Sequence, residues 1–236
     1  MKVLVVIPAY NEAENIARVV NDLRDNFSEY DYVVVNDGSR DDTAAICVRN
    51  GFHLIDLPVN LGLSGAFQAG MLYAYRRGGY DYVIQYDGDG QHNPRYIADM
   101  VREARQNHWQ VTIGSRFATQ KKPFSLRMLG SNIIELCILL TTGKRIKDPT
   151  SGMRLYDRSM IKTLATLMNY TPEPNTIAFL LRCGVSVGEV QVEMNERTAG
   201  ESYLNLSNSI KYMFHECSAI LLVQWFRKKI ALRQGG

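Results

Sequence analysis

No apolar run in this chain approaches the ~20 residues needed to cross a bilayer, so no membrane-spanning helix is expected within its 236 residues. The opening segment, Met1 to Pro8, is also too short an apolar run for a secretory signal. Cysteine is scarce and scattered. Cys47, Cys137, Cys183 and Cys217 have neither zinc-site spacing nor the pairing of a disulfide framework, which predicts reduced thiols in a cytoplasmic protein. A strong excess of charge of one sign is missing too. A formal net charge of +3, with no arginine-rich arm or aromatic-basic motif, leaves no footprint for nucleic acid. Three nucleotide signatures are absent as well. No Gly-x-Gly-x-x-Gly follows the first apolar run and no Gly-Lys-Ser/Thr occurs, which removes the dinucleotide and P-loop readings. The basic, glycine-rich N-terminal signature of a sugar-phosphate nucleotidylyltransferase is absent too.

What the chain does have is an alternation of strands and helices. Val3 to Ile7 is a continuous apolar run, as expected of a strand buried on both faces of a parallel sheet. Asn11 with Glu14 reads as a capping box, opening a helix whose apolar residues Ile16, Val19, Val20, Leu23 and Phe27 share one face. Tyr32 to Val35, Phe52 to Leu57 and Tyr82 to Tyr86 read as further strands. Helices are expected from about Asp41 to Val48 and from about Asn60 to the Gly78-Gly79 pair. This pattern predicts an α/β fold, a mostly parallel sheet flanked by helices. Ligands of such sheets bind beyond the carboxyl ends of the strands. Three polar clusters fall there: Tyr10-Asn11-Glu12, Asn36-Asp37-Gly38 and Asp87-Gly88-Asp89. They are expected to converge on one crevice.

The third cluster carries the most chemistry. Asp87 and Asp89 are two residues apart at a strand end and project to one side, with flanking glycines that admit a bulky ligand. Two carboxylates and the nearby amide of Gln91 suit a hard divalent cation, Mg2+ or Mn2+, that takes its remaining ligands from water and phosphates. An EF-hand is excluded by spacing, because the sixth position is His92 and the twelfth is Ala98. Alone, an Asp-x-Asp is equally a polar turn.

Together, Val6-Ile7-Pro8-Ala9-Tyr10-Asn11-Glu12, Val35-Asn36-Asp37-Gly38-Ser39 and Asp87-Gly88-Asp89 resemble the family-2 inverting nucleotide-sugar glycosyltransferases of GT-A (Rossmann-like) fold. Gln91-His92-Asn93-Pro94, Gly114-Ser115-Arg116-Phe117 and Asp148-Pro149-Thr150-Ser151-Gly152-Met153-Arg154 narrow the likeness to the polyprenyl-phosphate branch that includes dolichyl-phosphate mannose synthases. The resemblance implies a nucleoside site at Pro8, Tyr10, Glu12 and Asp37. It places Asp87, Gly88 and Asp89 against the diphosphate of a UDP- or GDP-linked sugar, with Asp87, Asp89 and Gln91 on the metal. Arg197, in Glu196-Arg197-Thr198-Ala199-Gly200-Glu201-Ser202, is the implied closing contact to the diphosphate, although Tyr203 stands where the family has Lys. Arg116, Arg127 and Ser131 match positions that bind an acceptor phosphate.

The residues support that acceptor in part. Arg127 and Ser131 share a helix face in a segment dense in leucine and isoleucine, which suits a phosphate with a hydrocarbon tail. It equally suits a core helix whose first arginine reaches to solvent. A lipid phosphate needs no base, being mostly dianionic at neutral pH. A sugar hydroxyl would need one, and Asp148 is the candidate, its alternative being to cap its own loop. The expectation is a metal-dependent glycosyltransferase domain over 1–202 and an amphipathic, basic helical tail over 203–236. In that tail Ile210, Met213, Phe214, Cys217 and Leu221 share one face. It would hold the protein peripherally on the inner face of the membrane, or meet a membrane-protein partner or a second copy. Transfer to a glycan hydroxyl and a non-catalytic donor-binding scaffold are the alternative functions.

Overall fold

The structure, a computed structural model, describes residues 1–123, 125–166, 172–194 and 206–227. Its strands are β1 (Val3–Ala9), β2 (Asp31–Asn36), β3 (Leu54–Asp56), β4 (Tyr82–Gln85), β5 (Val111–Ser115), β6 (Arg154–Asp157) and β7 (Val187–Gln191). The helices are α1 (Ile16–Asn26), α2 (Thr43–Arg49), α3 (Gly62–Arg77), α4 (Tyr96–Gln106), α5 (Leu126–Thr142), α6 (Arg158–Thr166), α7 (Pro174–Arg182) and α8 (Leu206–Leu221). Among the described residues the strands form one sheet in the order β3-β2-β1-β4-β6-β5-β7.

β1 lies inside the sheet, parallel to β2 and β4, and all seven of its residues are buried. Leu4 and Val6 enter the core under α3, whereas Val3, Val5 and Ile7 enter the core under α1 and α4. Alternate side chains of one strand thus anchor both helical layers, each buried Val, Leu or Ile contributing about 1.5–3 kcal/mol. The mostly parallel sheet matches expectation. β6 is the exception: it runs antiparallel to both β4 and β5. Its lead-in, residues 148–153, therefore lies at the rim where β4 and β5 end.

The first helix starts later than its sequence suggests. The Asn11–Glu14 capping box does not form; α1 begins at Ile16, and Asn11 takes a left-handed φ of 55°. Tertiary partners claim the amides that a cap would have used. Asn11 N–H donates to Ser39 Oγ, Glu12 N–H to Thr43 Oγ1 and Ala13 N–H to Asp41 Oδ2. The Asn11 side chain accepts from the Arg40 amide instead.

The face of α8 also differs. Glu216 and Ile220 are buried, with Tyr212 half-buried beside them, while Phe214 and Leu221 point outward. The helix lies against α5 and α7, with Ile220 in the core, Tyr212 and Cys217 packed against it, and polar contacts to the start of α7. Glu216 accepts from the backbone and side-chain amides of Asn175, and Tyr212 OH donates to Glu173. A helix that buries a carboxylate needs such donors, because unpaired burial of a charge is expensive.

α3 crosses β1 at Gly70, where a methyl group would sit 2.3 Å from Val6 Cγ1. Overpacking there should outweigh the gain in helix propensity. Gly70→Ala is expected to lower stability by about 1–2 kcal/mol in urea unfolding; an unchanged midpoint would mean that α3 can back away from the sheet.

Candidate functional site

The three polar clusters meet at one rim because β2, β1 and β4 are neighbours running the same way. Asp37 follows β2, and its amide donates to Ala9 O at the end of β1. Its buried side chain is capped in turn, Oδ1 accepting from the Leu61 N–H at 2.7 Å. Gly38 permits this: its φ is +62°, and any Cβ would lie 2.6 Å from the Val59 carbonyl carbon. The β4 loop closes on β1 in the same manner. A Cβ on Gly88 would stand 3.1 Å from Pro8 O and 3.7 Å from Glu12 Cγ. Pro8, Tyr10, Glu12, Asp37, Asp87, Gly88 and Asp89 therefore share one rim. Glu12 is oriented by Asn15, whose amide donates to Oε2.

Asp87 and Asp89 are half-buried. Asp89 Oδ1 accepts from the Gln91 amide, so the loop curls around its own carboxylate. Among the described residues no cluster of three or more His, Cys, Asp or Glu side chains could hold a metal by itself. Two carboxylates at an open rim fit a hard cation that completes its shell with phosphate and water, not one enclosed by protein.

The antiparallel β6 brings a second group to this rim. Arg116, just after β5, lies beside the 148–152 turn that precedes β6. Its Nε donates to Asp148 Oδ2 and its Nη2 to Oδ1, both at 2.8 Å. Asp148 is fully buried, and Oδ2 also accepts the Arg116 amide. The hydrogen bonds that Arg116 donates to the Asp148 carboxylate raise its guanidinium pKa above the ordinary value. The turn is secured again by buried Arg154, which donates to Ser151 O and Pro149 O. Both oxygens of Asp148 are thus committed to holding Arg116, which leaves them poorly placed to take a proton from a substrate. Loop capping by the Thr150 and Ser151 amides is replaced by a contact from Thr150 Oγ1 to Asp148 Oδ1 at 3.3 Å, the Ser151 N–H going to the Asp148 main-chain oxygen.

Ser131 is buried on α5 and accepts from Lys122 Nζ at 3.1 Å. Lys122 also donates to Glu135 at 2.7 Å, and Arg145 Nε donates to the other Glu135 oxygen at 2.6 Å. Burial raises the Glu135 pKa, but these two cations outweigh it and hold the carboxyl below its ordinary range. Lys121, Lys122, Arg145 and Lys147 line an open groove of about 380 Å³ over this network. The Arg127 side chain and Arg197 lie outside the described residues.

Sequence reasoning quoted His92 and Gly152 within motifs but gave them no role. Buried His92 accepts the Asp87 N–H on Nδ1 at 3.0 Å. Lys122, Glu135 and Arg145 it passed over altogether. Their pairing joins three separate segments, and no local spacing signals it.

An open, mostly parallel sheet with flanking helices and acidic loops at one rim defines an α/β protein of the GT-A arrangement. Residues 4–165 match the family described as Glycosyl transferase family 2, and the chain belongs to that family; it is a glycosyltransferase. An undecaprenyl-phosphate mannosyltransferase of Micrococcus luteus is 29% identical over 87% of this chain and 88% of its own. A UDP-N-acetylglucosamine–dolichyl-phosphate N-acetylglucosaminyltransferase of Methanococcus voltae is 26% identical over 81% and 84%. In fold, the chain resembles glucosyl-3-phosphoglycerate synthase of Mycobacterium tuberculosis in complex with Mn2+, uridine diphosphate and phosphoglyceric acid. That match has a TM-score of 0.66 at 16% identity, covering 94% of this chain and 78% of the other.

The clamp role of Asp148 separates from a base role by experiment. Removing one partner of a buried pair strands the other charge, so Asp148→Ala should cost about 3–5 kcal/mol of stability by chemical denaturation. A variant with parental stability but no turnover would return Asp148 to the list of bases.

Proposed function

We propose that this glycosyltransferase moves a sugar from a nucleoside diphosphate to a polyprenyl phosphate, with inversion at the anomeric carbon. The observation that carries this reading is the meeting of Asp37, Glu12, Asp87 and Asp89 at the ends of three adjacent strands. Pro8, Tyr10, Glu12 and Asp37 hold the nucleoside; Asp87, Gly88 and Asp89 face the diphosphate, with Arg197 closing over it. Asp87, Asp89 and Gln91 would hold Mg2+ or Mn2+, the donor set fitting an ion that shares its shell with the diphosphate. When bound, that ion supplies positive charge against the leaving diphosphate.

The acceptor phosphate oxygen forms a bond to the anomeric carbon as the bond from that carbon to the diphosphate breaks, the electron pair leaving with the nucleotide. A phosphate monoester has a second pKa of about 6, so no side chain need remove a proton. This agrees with a site in which Asp148 is bound to Arg116. Arg116, Arg127 and Ser131 orient the acceptor phosphate, which is what such a reaction asks of the protein. The named acceptors of the two relatives carry different sugars on the same kind of lipid phosphate.

Peripheral membrane association is part of this reading. No helix among the described residues is long and apolar enough to cross a membrane. α5 buries Ile134, Cys137 and Ile138 yet exposes Leu129, Ile133, Leu136 and Leu140, which follow one another at helical spacing. Lys144 and Arg145 are exposed just beyond its end. Apolar side chains rimmed by basic ones suit an anionic leaflet, where each basic residue is worth roughly 1 kcal/mol.

A donor-hydrolysis screen over nucleotide sugars with Mg2+ or Mn2+, followed by addition of short-chain polyprenyl phosphate, tests the whole. Transfer to the lipid phosphate is expected; transfer only to a glycan hydroxyl refutes it. Asp89→Ala should abolish both turnover and metal-dependent nucleotide binding while circular dichroism stays parental. Arg127→Ala should cripple lipid-phosphate transfer and leave donor hydrolysis nearly intact, and loss of donor affinity instead would misplace that residue. Replacing Leu136 and Leu140 together by Asp should weaken sedimentation with phosphatidylglycerol vesicles.

A further inference from the structure

The Asp87 carboxylate is bracketed by two residues that come from different parts of the chain. On one side stands His92, 3% exposed. Its Nδ1 accepts the Asp87 N–H, so in the neutral ring the proton sits on Nε2. That nitrogen lies 3.6 Å from Asp87 Oδ2, beyond hydrogen-bond distance but close enough to act on the carboxylate through charge and packing. The ring cannot swing away. Tyr86 meets it edge-on, with centroids 5.4 Å apart, and Tyr86 OH donates to His92 O.

On the other side stands Gly152. A Cβ built there would lie 2.7 Å from Asp87 Oδ2 and 3.4 Å from Cγ, so the carboxylate rests on the bare α-carbon. Gly152 in turn belongs to the turn held by the Arg116–Asp148 pair and by Ser151 Oγ, which donates to Gly114 O. The floor under the carboxylate is therefore fixed from β5, and its wall from the loop after β4.

We propose that His92 and Gly152 are positioning residues that set the Asp87 carboxylate in the orientation the diphosphate and its cation require. Asp87 cannot do this alone, because an aspartate at an open rim can choose among staggered χ1 rotamers and has a broad χ2. The bracket confines Oδ2 and leaves one defined presentation to the ligand. It also gives Arg116 a second duty: by clamping Asp148 it holds the turn on which Asp87 rests. This deepens the proposed function and rests on the reading of Asp87 as a ligand-facing residue.

The test measures uptake of Mn2+ by the full-length chain in the presence of UDP, followed by the electron paramagnetic resonance signal of free Mn2+. His92→Phe keeps the ring and removes both nitrogens; it should weaken Mn2+ affinity about tenfold or more, the usual cost of losing a group that orients a metal ligand. His92→Gln, which returns an N–H donor to that side of Asp87, should restore most of the loss. Gly152→Ala should also weaken uptake. Its backbone is outside the left-handed region, so the added methyl acts on Asp87 and not on the turn's own conformation. In an Asp87→Asn background His92→Phe should cost little more, since both act through one carboxylate. Parental uptake in both His92→Phe and Gly152→Ala would overturn the bracket. If His92→Phe does not fold, Gly152→Ala decides. Parental protein that takes up no Mn2+ with UDP would sink the metal reading itself, a result distinct from variants that merely match a binding-competent parent.

Discussion

The pairing of β6 between β4 and β5, against the direction of both, is the constraint from which the rest of the site follows. Gln85 faces Arg154, and Ile113 faces the same residue from the other side. With β6 parallel, residues 148–153 would lie at the far end of the sheet. Antiparallel, they lie where β4 delivers Asp87 and β5 delivers Arg116. One reversal thus joins the Asp87 carboxylate, the Arg116–Asp148 ion pair and a glycine floor in a single contact chain. A fully buried carboxylate is tolerable only with excellent partners, and Asp148 has them in the guanidinium and the amide of Arg116.

The two halves of the rim are built on different principles. Around β1 and β2 the loops are tied by hydrogen bonds from amides to short side chains: the neutral Ser39, Thr43 and Asn11, and the carboxylate of Asp41. Such a surface is fixed in shape by contacts to the main chain and carries no ionic pair among these ties, which suits a nucleoside. Around β5, β6 and α5 the ties are ionic: Arg116 with Asp148, and Lys122 and Arg145 with Glu135. Cations gathered in this way suit a second anion, and α5 carries apolar side chains outward from the same region. A chemistry that joins a diphosphate-linked sugar to a lipid phosphate would use both kinds of surface.

α8 shows how amphipathic periodicity can mislead. Met213, Phe214, Cys217 and Leu221 make a plausible apolar face, yet the docked face centres on Glu216 and Ile220. The reason is the partner: the first turn of α7 holds Asn175, whose amides need an acceptor, and Glu216 meets that need. The polar demand of the receiving surface turned the helix so that Cys217 and Met213 still meet the body of the protein while Phe214 was left outside. The same logic displaced the start of α1, where Ser39, Thr43 and Asp41 took amides that a local cap would have served.

The alternation of apolar runs with amphipathic helices was by itself enough to determine a mostly parallel sheet, because burial on both faces leaves a strand no polar positions. It also determined that Asp37, Glu12 and Asp87 would share a rim, since consecutive parallel strands end on one side. Neither the direction of β6 nor the lock on Asp148 could be read in that way. Strand direction depends on where a chain returns, and an ion pair between residues 116 and 148 depends on that return. Only the folded arrangement decided that Asp148 holds an arginine and that Gly152 closes on Asp87, because contacts across distant segments leave no local pattern in the chain; His92, five residues from Asp87, is placed by the curl of its own loop.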